Sequence, residues 1–91
     1  MWRFLYKPSF LRELSRLPEE VRQRAEEIAF ETMPALENPL SLPGLERLQG
    51  YRRYYEVRIG DYRLGLEVDS QAHQVEFRRA LHRRDIYRYF P

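Results

Sequence analysis

Ninety-one residues, 43% hydrophobic and 33% charged, are enough for one compact core and too few for two, so residues 1–91 are expected to form a single domain. The absence of cysteine excludes disulfides and thiolate metal sites, and no apolar run approaches the roughly 20 residues of a membrane span. Net charge is only +2, but the basic residues are Lys7 and fifteen arginines, unevenly spread: residues 1–50 are net −1 and residues 51–91 net +3.

An arginine fork pairs two-pronged with phosphate or carboxylate and stacks on flat rings. A general preference for arginine over lysine explains the composition equally well. The cationic character lies in the second half of the chain.

The opening residues Trp2 to Tyr6 are aromatic-rich and stop at Pro8, as a short strand would. Their apolar stretch is shorter than a signal-peptide core, so the expected location is the cytoplasm. Phe10, Leu11, Leu14 and Leu17 fall on one helical face, with Ser9 available as a cap. Pro18 suits a first helical position, Glu19 and Glu20 suit the positive end of a helix dipole, and Val21, Ala25, Ile28, Ala29 and Met33 continue the apolar stripe. The reading is a helical hairpin. Pro34, Pro39, Pro43, Gly44 and Gly50 then mark a loop from Pro34 to Gly50.

Three alternating segments follow. Tyr54 to Ile59 puts Tyr55, Val57 and Ile59 on one face and Glu56 and Arg58 on the other. After the Gly60-Asp61 turn, Tyr62, Leu64, Leu66 and Val68 face inward, with Arg63, Gly65 and Glu67 outward. Beyond a loop at Asp69 to His73, Val75 and Phe77 point in, and Glu76 and Arg78 out. Arg83 to Phe90 forms a short terminal helix or tail, with Ile86 and Phe90 four apart. The expected class is α+β: a short N-terminal strand, a helical hairpin packed on a small antiparallel sheet, and the C-terminal segment.

This pattern sets Arg58, Arg63 and Arg78 on the sheet face away from the helices, with Arg52, Arg53, Arg83, Arg84 and Arg88 near its ends. Guanidinium groups can hold the phosphates of single-stranded RNA while tyrosine rings stack on bases. Glu56, Glu67 and Glu76 share that face, so cross-strand ion pairs account for the same three arginines. No Gly-rich phosphate loop, zinc-ligand spacing or serine nucleophile setting is present, and neither a metal site nor a cofactor is expected.

Lys7-Pro8-Ser9-Phe10 with Leu14, Leu17 and Pro18, then Leu48-Gln49-Gly50, Tyr55, the run Arg58 to Arg63, and the run His82 to Tyr87 together resemble the RelE/ParE superfamily of bacterial toxins from toxin–antitoxin pairs. The resemblance spans nearly the whole chain in the family's order of elements. It implies a microbial RNase fold that, in its RelE branch, enters the ribosome and cuts mRNA without metal, the 2′-hydroxyl attacking the adjacent phosphate. It also implies a cognate antitoxin partner that packs a helix or strand on this domain. The alternatives are a ParE-like toxin that inhibits DNA gyrase and cuts nothing, or a degenerate relative whose arginines only form ion pairs.

By resemblance, Arg63 serves the scissile phosphate, Arg58 is the basic residue of the preceding strand, Arg83 follows the last strand, and Tyr87 stacks on a base and positions the 2′-hydroxyl. Arg52, Arg53, Arg78, Arg84 and Arg88 are the further RNA-binding candidates. Arginines stabilise charge but carry protons poorly, which leaves Glu56 and His82 as candidates for proton transfer. His82 is equally readable as a structural residue near a strand end, and His73 as a loop residue. Two positions depart from the family pattern: Glu56 stands where ribosome-dependent members often have a second basic residue, and Leu81 where many relatives have glycine.

Overall fold

The computed structural model describes residues 1–91. β1 (Arg3–Tyr6) leads into α1 (Pro8–Leu14) and α2 (Glu19–Glu27); a π-helical turn over Ile28–Thr32 and a last turn, α3 (Met33–Ala35), prolong the second helix. A 3-10 turn (Pro39–Ser41) precedes β2 (Leu45–Arg47), and β3 (Tyr54–Ile59), β4 (Tyr62–Asp69), β5 (Gln74–His82) and α4 (Arg83–Tyr89) complete the chain. The five strands form one sheet in the order β1-β5-β4-β3-β2. No helix is long and apolar enough to cross a membrane.

The α+β class is as expected, with corrections. The sheet is mixed, because β1 runs parallel to β5 while the other pairings are antiparallel. The helical hairpin carries the chain from β1 at one edge of the sheet to β2 at the other, and three antiparallel steps then bring β5 back beside β1 in the same direction. The Pro34–Gly50 segment is not all loop. Pro34 lies within α3, and β2 pairs with β3 through Leu45↔Val57 and Arg47↔Tyr55. A three-residue edge strand is specified by main-chain hydrogen bonds and has too few side chains to show an alternation. The π turn sits just before Pro34, whose missing N–H and bulky ring disfavour an ordinary i→i−4 turn there.

Smaller differences concern the helix ends. Lys7, not Ser9, is the cap of α1, with Pro8 at the first helical position; the Ser9 hydroxyl instead donates to the Arg78 carbonyl at 2.8 Å and ties α1 to β5. Pro18 is the cap of α2, one position earlier than its spacing suggested. Leu11 is exposed, whereas Phe10, Leu14 and Leu17 are buried.

The inward residues of all the long strands, Val57, Ile59, Leu64, Leu66, Val68, Val75, Phe77 and Ala80, join Phe10, Leu14, Leu17, Ala25, Ala29 and Met33 in one core. A bulge opposite Gly65/Leu66 resets the phase of β5: Phe77 faces Leu66, Arg79 faces Gly65 and Arg78 is the extra residue. Ala80 therefore points inward three residues after Phe77.

The other face of the sheet is not open. α4 lies across β4 and β5 and buries Ile86 and Phe90. Gly65 makes this close docking possible: a Cβ built there would stand 2.8 Å from the Phe90 ring. The Tyr54 ring meets Phe90 edge-on, with centroids 5.6 Å apart.

Candidate active site

Alternation along β3 turns Glu56 and Arg58 toward α4, and the two-residue turn at Gly60 (φ +57°) returns the chain so that Arg63 lies directly opposite Arg58. Two arginines facing one another across a ladder repel unless anions intervene. On the Arg58 side the anion is Glu56, only 3% exposed. Its Oε2 accepts from Arg58 Nε at 3.2 Å, and its Oε1 accepts from the Tyr87 hydroxyl at 2.6 Å. Arg58 also pairs with Glu46 on β2 at 3.1 Å.

Arg63 differs from every other arginine of the sheet. It is 9% exposed and forms no ion pair. One terminal nitrogen donates to the carbonyls of Gly60 and Tyr62, at 2.8 and 2.9 Å, and its Nε is buried without a partner. A buried cation held chiefly by carbonyl dipoles, with no carboxylate paired to it, is costly to maintain and strongly attractive to an anion. Cross-strand ion pairing thus accounts for Arg58 and Arg78 but not for Arg63.

Tyr87 closes the site. Its ring is 57% exposed, but its hydroxyl is held at the Glu56 carboxylate near Arg63. The hydrogen bond to Glu56 chiefly, then burial of the hydroxyl, raise its pKa above the ordinary tyrosine value, against the lowering pull of Arg63. The phenol therefore stays protonated and acts as a donor. Arg58 is likewise raised, by its bond to Glu56 first and the charge of Glu46 next.

The structure brings Glu56, Arg58, Arg63 and Tyr87 together. Arg83 stands at the rim, where the chain leaves β5 for α4: its N–H donates to the Asp61 carbonyl at 2.7 Å and its guanidinium lies 3.6 Å from the Asp61 carboxylate. His82 caps α4, its Nδ1 accepting from the Arg84 N–H at 3.2 Å, with its ring edge-on to Tyr62. Its Nδ1 is thereby engaged in the cap of α4.

The remaining arginines are dispersed. Arg53 pairs with Glu67 and Asp69, and Arg78 with Glu76 and Glu67, its guanidinium over the Tyr54 ring. Arg52 is exposed in the β2–β3 connection, Arg88 is exposed on α4, and Arg84 sits beside Asp85. Sequence reasoning missed Glu46, which lay in the supposed loop, and the Gly65–Phe90 packing. A glycine inside an otherwise regular strand was the available signal for the latter.

Residues 4–87 match the model of the ParE toxin of the type II toxin–antitoxin system parDE. Toxin RelE3 of Methanocaldococcus jannaschii is 38% identical over 88 residues, covering 96% of this chain and 97% of that protein. The crystal structure of a RelB-RelE antitoxin–toxin complex from Methanococcus jannaschii superimposes with a TM-score of 0.76 at 35% identity, over 96% of this chain and 99% of that one. The fold is also that of the isolated Escherichia coli RelE toxin, with a TM-score of 0.66 at 17% identity, over 90% of this chain and 84% of that one. The chain belongs to the RelE/ParE superfamily of type II toxin–antitoxin toxins and is RelE-like.

Proposed function

We propose that this toxin is a metal-independent endoribonuclease that cuts mRNA on the ribosome and is neutralised by a cognate antitoxin. The observation that carries the reading is the convergence of one buried carboxylate, Glu56, with Arg58, the unpaired Arg63 and Tyr87 under one short helix. Cleavage by the neighbouring 2′-hydroxyl requires a proton acceptor beside that oxygen and cations at the phosphate, and these side chains supply both.

In the resting arrangement Tyr87 occupies one oxygen of Glu56 and covers Arg63. An entering strand displaces the phenol, whose exposed ring then stacks on a base. Glu56 takes the proton from the 2′-oxygen as that oxygen bonds to phosphorus. Arg63 and Arg58 neutralise the phosphorane, and the bond to the 5′-oxygen breaks. The leaving oxygen takes a proton from solvent at the exposed rim beside Arg83, giving a cyclic phosphate and a 5′-hydroxyl. An acid in place of a second basic residue thus acts as the base rather than as a repelling charge. His82, committed to capping α4, is assigned no proton-transfer step.

Mapping cuts on translated messages after expression tests the reading: cuts that vanish with Glu56→Gln and Arg63→Ala support it, and intact messages during full growth arrest overturn it. The family match to ParE favours a second reading, a toxin that inhibits DNA gyrase and cuts nothing. Inhibition of supercoiling by purified protein without RNA cleavage selects it. The antitoxin assignment draws on the RelB-bound relative from Methanococcus jannaschii. A short neighbouring reading frame whose product rescues growth and copurifies with the toxin is the expected outcome for that pairing.

A further inference from the structure

On the opposite flank of α4 from Glu56 lies a cleft of about 540 Å³ that the proposed reaction does not use. Arg12, Glu13 and Arg16 line it from α1 and the turn after it, Arg79 from β5, and Arg84 and Tyr89 from α4. Its floor is rigid: the buried Glu13 carboxylate accepts from Arg79 Nε at 3.1 Å and from the Ala80 N–H at 2.9 Å, and its second oxygen also holds the Arg79 guanidinium. Arg79 is thereby fixed 4.9 Å from the centroid of the Tyr89 ring.

Tyr89 is consequently a flat ring backed by a pinned cation, yet 56% exposed. Arg12 and Arg16, four residues apart, are exposed and form no ion pair, so Glu13 and Asp85 leave the cleft with uncompensated positive charge. Tyr89 also borders a smaller cleft that contains Lys7 and Arg78. A ring platform between clusters of cations fits a base with phosphates on either side. An acidic peptide would use the cations and leave the ring without a role. Tyr87 and Tyr89, two residues apart on a helix, point to nearly opposite sides of it.

We propose that Tyr89, with Arg12, Arg16 and Arg84, forms a second nucleotide subsite for a single RNA strand that wraps the C-terminal helix from the Tyr87 side. The choice of RNA rests on the proposed nuclease function; the subsite itself does not. Binding of a fluorescent 2′-O-methyl RNA hexamer, which has no free 2′-hydroxyl and cannot be cut, tests it by anisotropy. Tyr89→Ala is expected to weaken binding about tenfold and Tyr89→Phe to leave it within about twofold, since stacking needs the ring and not the hydroxyl. An abasic unit in the hexamer should remove the difference between wild type and Tyr89→Ala. Arg12→Gln with Arg16→Gln should lower the slope of log affinity against log salt by about 1.4, two phosphates' worth for a single strand. Unchanged affinity in Tyr89→Ala together with an unchanged slope in the double variant overturns the proposal. So does a polyglutamate peptide that binds more tightly than the hexamer and loses affinity equally in Tyr89→Ala. If Glu56→Gln keeps the Tyr89-dependent binding while the wild type cuts no translated message, the nuclease reading fails and the subsite stands. If messages are cut but hexamer binding does not depend on Tyr89, the nuclease reading stands and the subsite fails.

Discussion

The two faces of the sheet are closed by different physics. Under α1, α2 and α3, a continuous apolar core joins both helices to every long strand. Under α4, a seven-residue helix rests on only two apolar anchors, Ile86 and Phe90, beside a buried carboxylate and an unpaired buried guanidinium. The first closure is apolar and closely packed, so it should open only with global unfolding. The second has few apolar contacts and exposes much of its own surface, as expected of an element that opens at lower cost. On the proposed function, stability and reactivity fall on opposite faces of the same strands.

The largest effect that sharpens this contrast is in the core. Phe77 is fully buried against Phe10 and Tyr6, with ring centroids 5.1 and 5.6 Å away. Phe77→Ala should cost about 3–5 kcal/mol, read as a lower denaturant midpoint. A loss below about 1 kcal/mol would mean that this face does not carry the fold. Next comes Arg63→Ala on the α4 face, expected to slow message cleavage about 10²–10³-fold by removing a preorganised cation. Because Arg63 has no ion pair to lose, its denaturant midpoint should shift far less than that of Phe77→Ala. A similar midpoint shift for both variants would break the division between the faces.

The sequence made the first face legible and the second only in part. Alternation at Val57, Ile59, Leu64 and Leu66 and helical spacing at Phe10, Leu14 and Leu17 express burial against one apolar layer, which is what periodicity records. Glu56 and Arg63 were placed on the correct face, but a pattern of polar residues cannot distinguish a solvated face from one covered by a short helix. The burial of Glu56 depends on Tyr87, thirty-one residues away, and on Phe90 settling over Gly65. β2 was hidden because three edge residues among prolines and glycines carry no periodic signal, and Glu46, which pairs with Arg58, was hidden with it. The bulge that shifts β5 is likewise a main-chain event without a side-chain signature.

The seat of Phe90 offers a mid-sized test. Gly65→Ala forces a methyl group to within 2.8 Å of the Phe90 ring, which is itself buried. The cost is expected to be about 1–3 kcal/mol, taken up as loosening of α4 rather than as loss of the core. Hydrogen exchange should rise at the α4 amides while those of β4 and β5 remain protected. Adding Phe90→Leu, which makes room for the methyl group, should restore protection to α4. Equal loss of protection in the core strands would show that the two faces are not separable.

The smallest effect is the tie between Tyr87 and Glu56. The Tyr87 phenol is raised in the folded protein, so its bond contributes stability below the unfolded tyrosine value of roughly 10 and loses it as pH rises through the higher folded value. With the ring more than half exposed, the contribution should be no more than about 1 kcal/mol. Thermal unfolding of wild type and Tyr87→Phe should therefore differ by a small constant amount from pH 7 to about 9, with the difference vanishing above the folded pKa. Cleavage should respond in a different way. Removing the hydroxyl frees Glu56 Oε1 but leaves the ring to stack, so Tyr87→Phe should remain more active than Tyr87→Ala. If both variants lose activity equally, the hydroxyl takes part in the reaction itself, and Tyr87 is more than a cover that the substrate lifts.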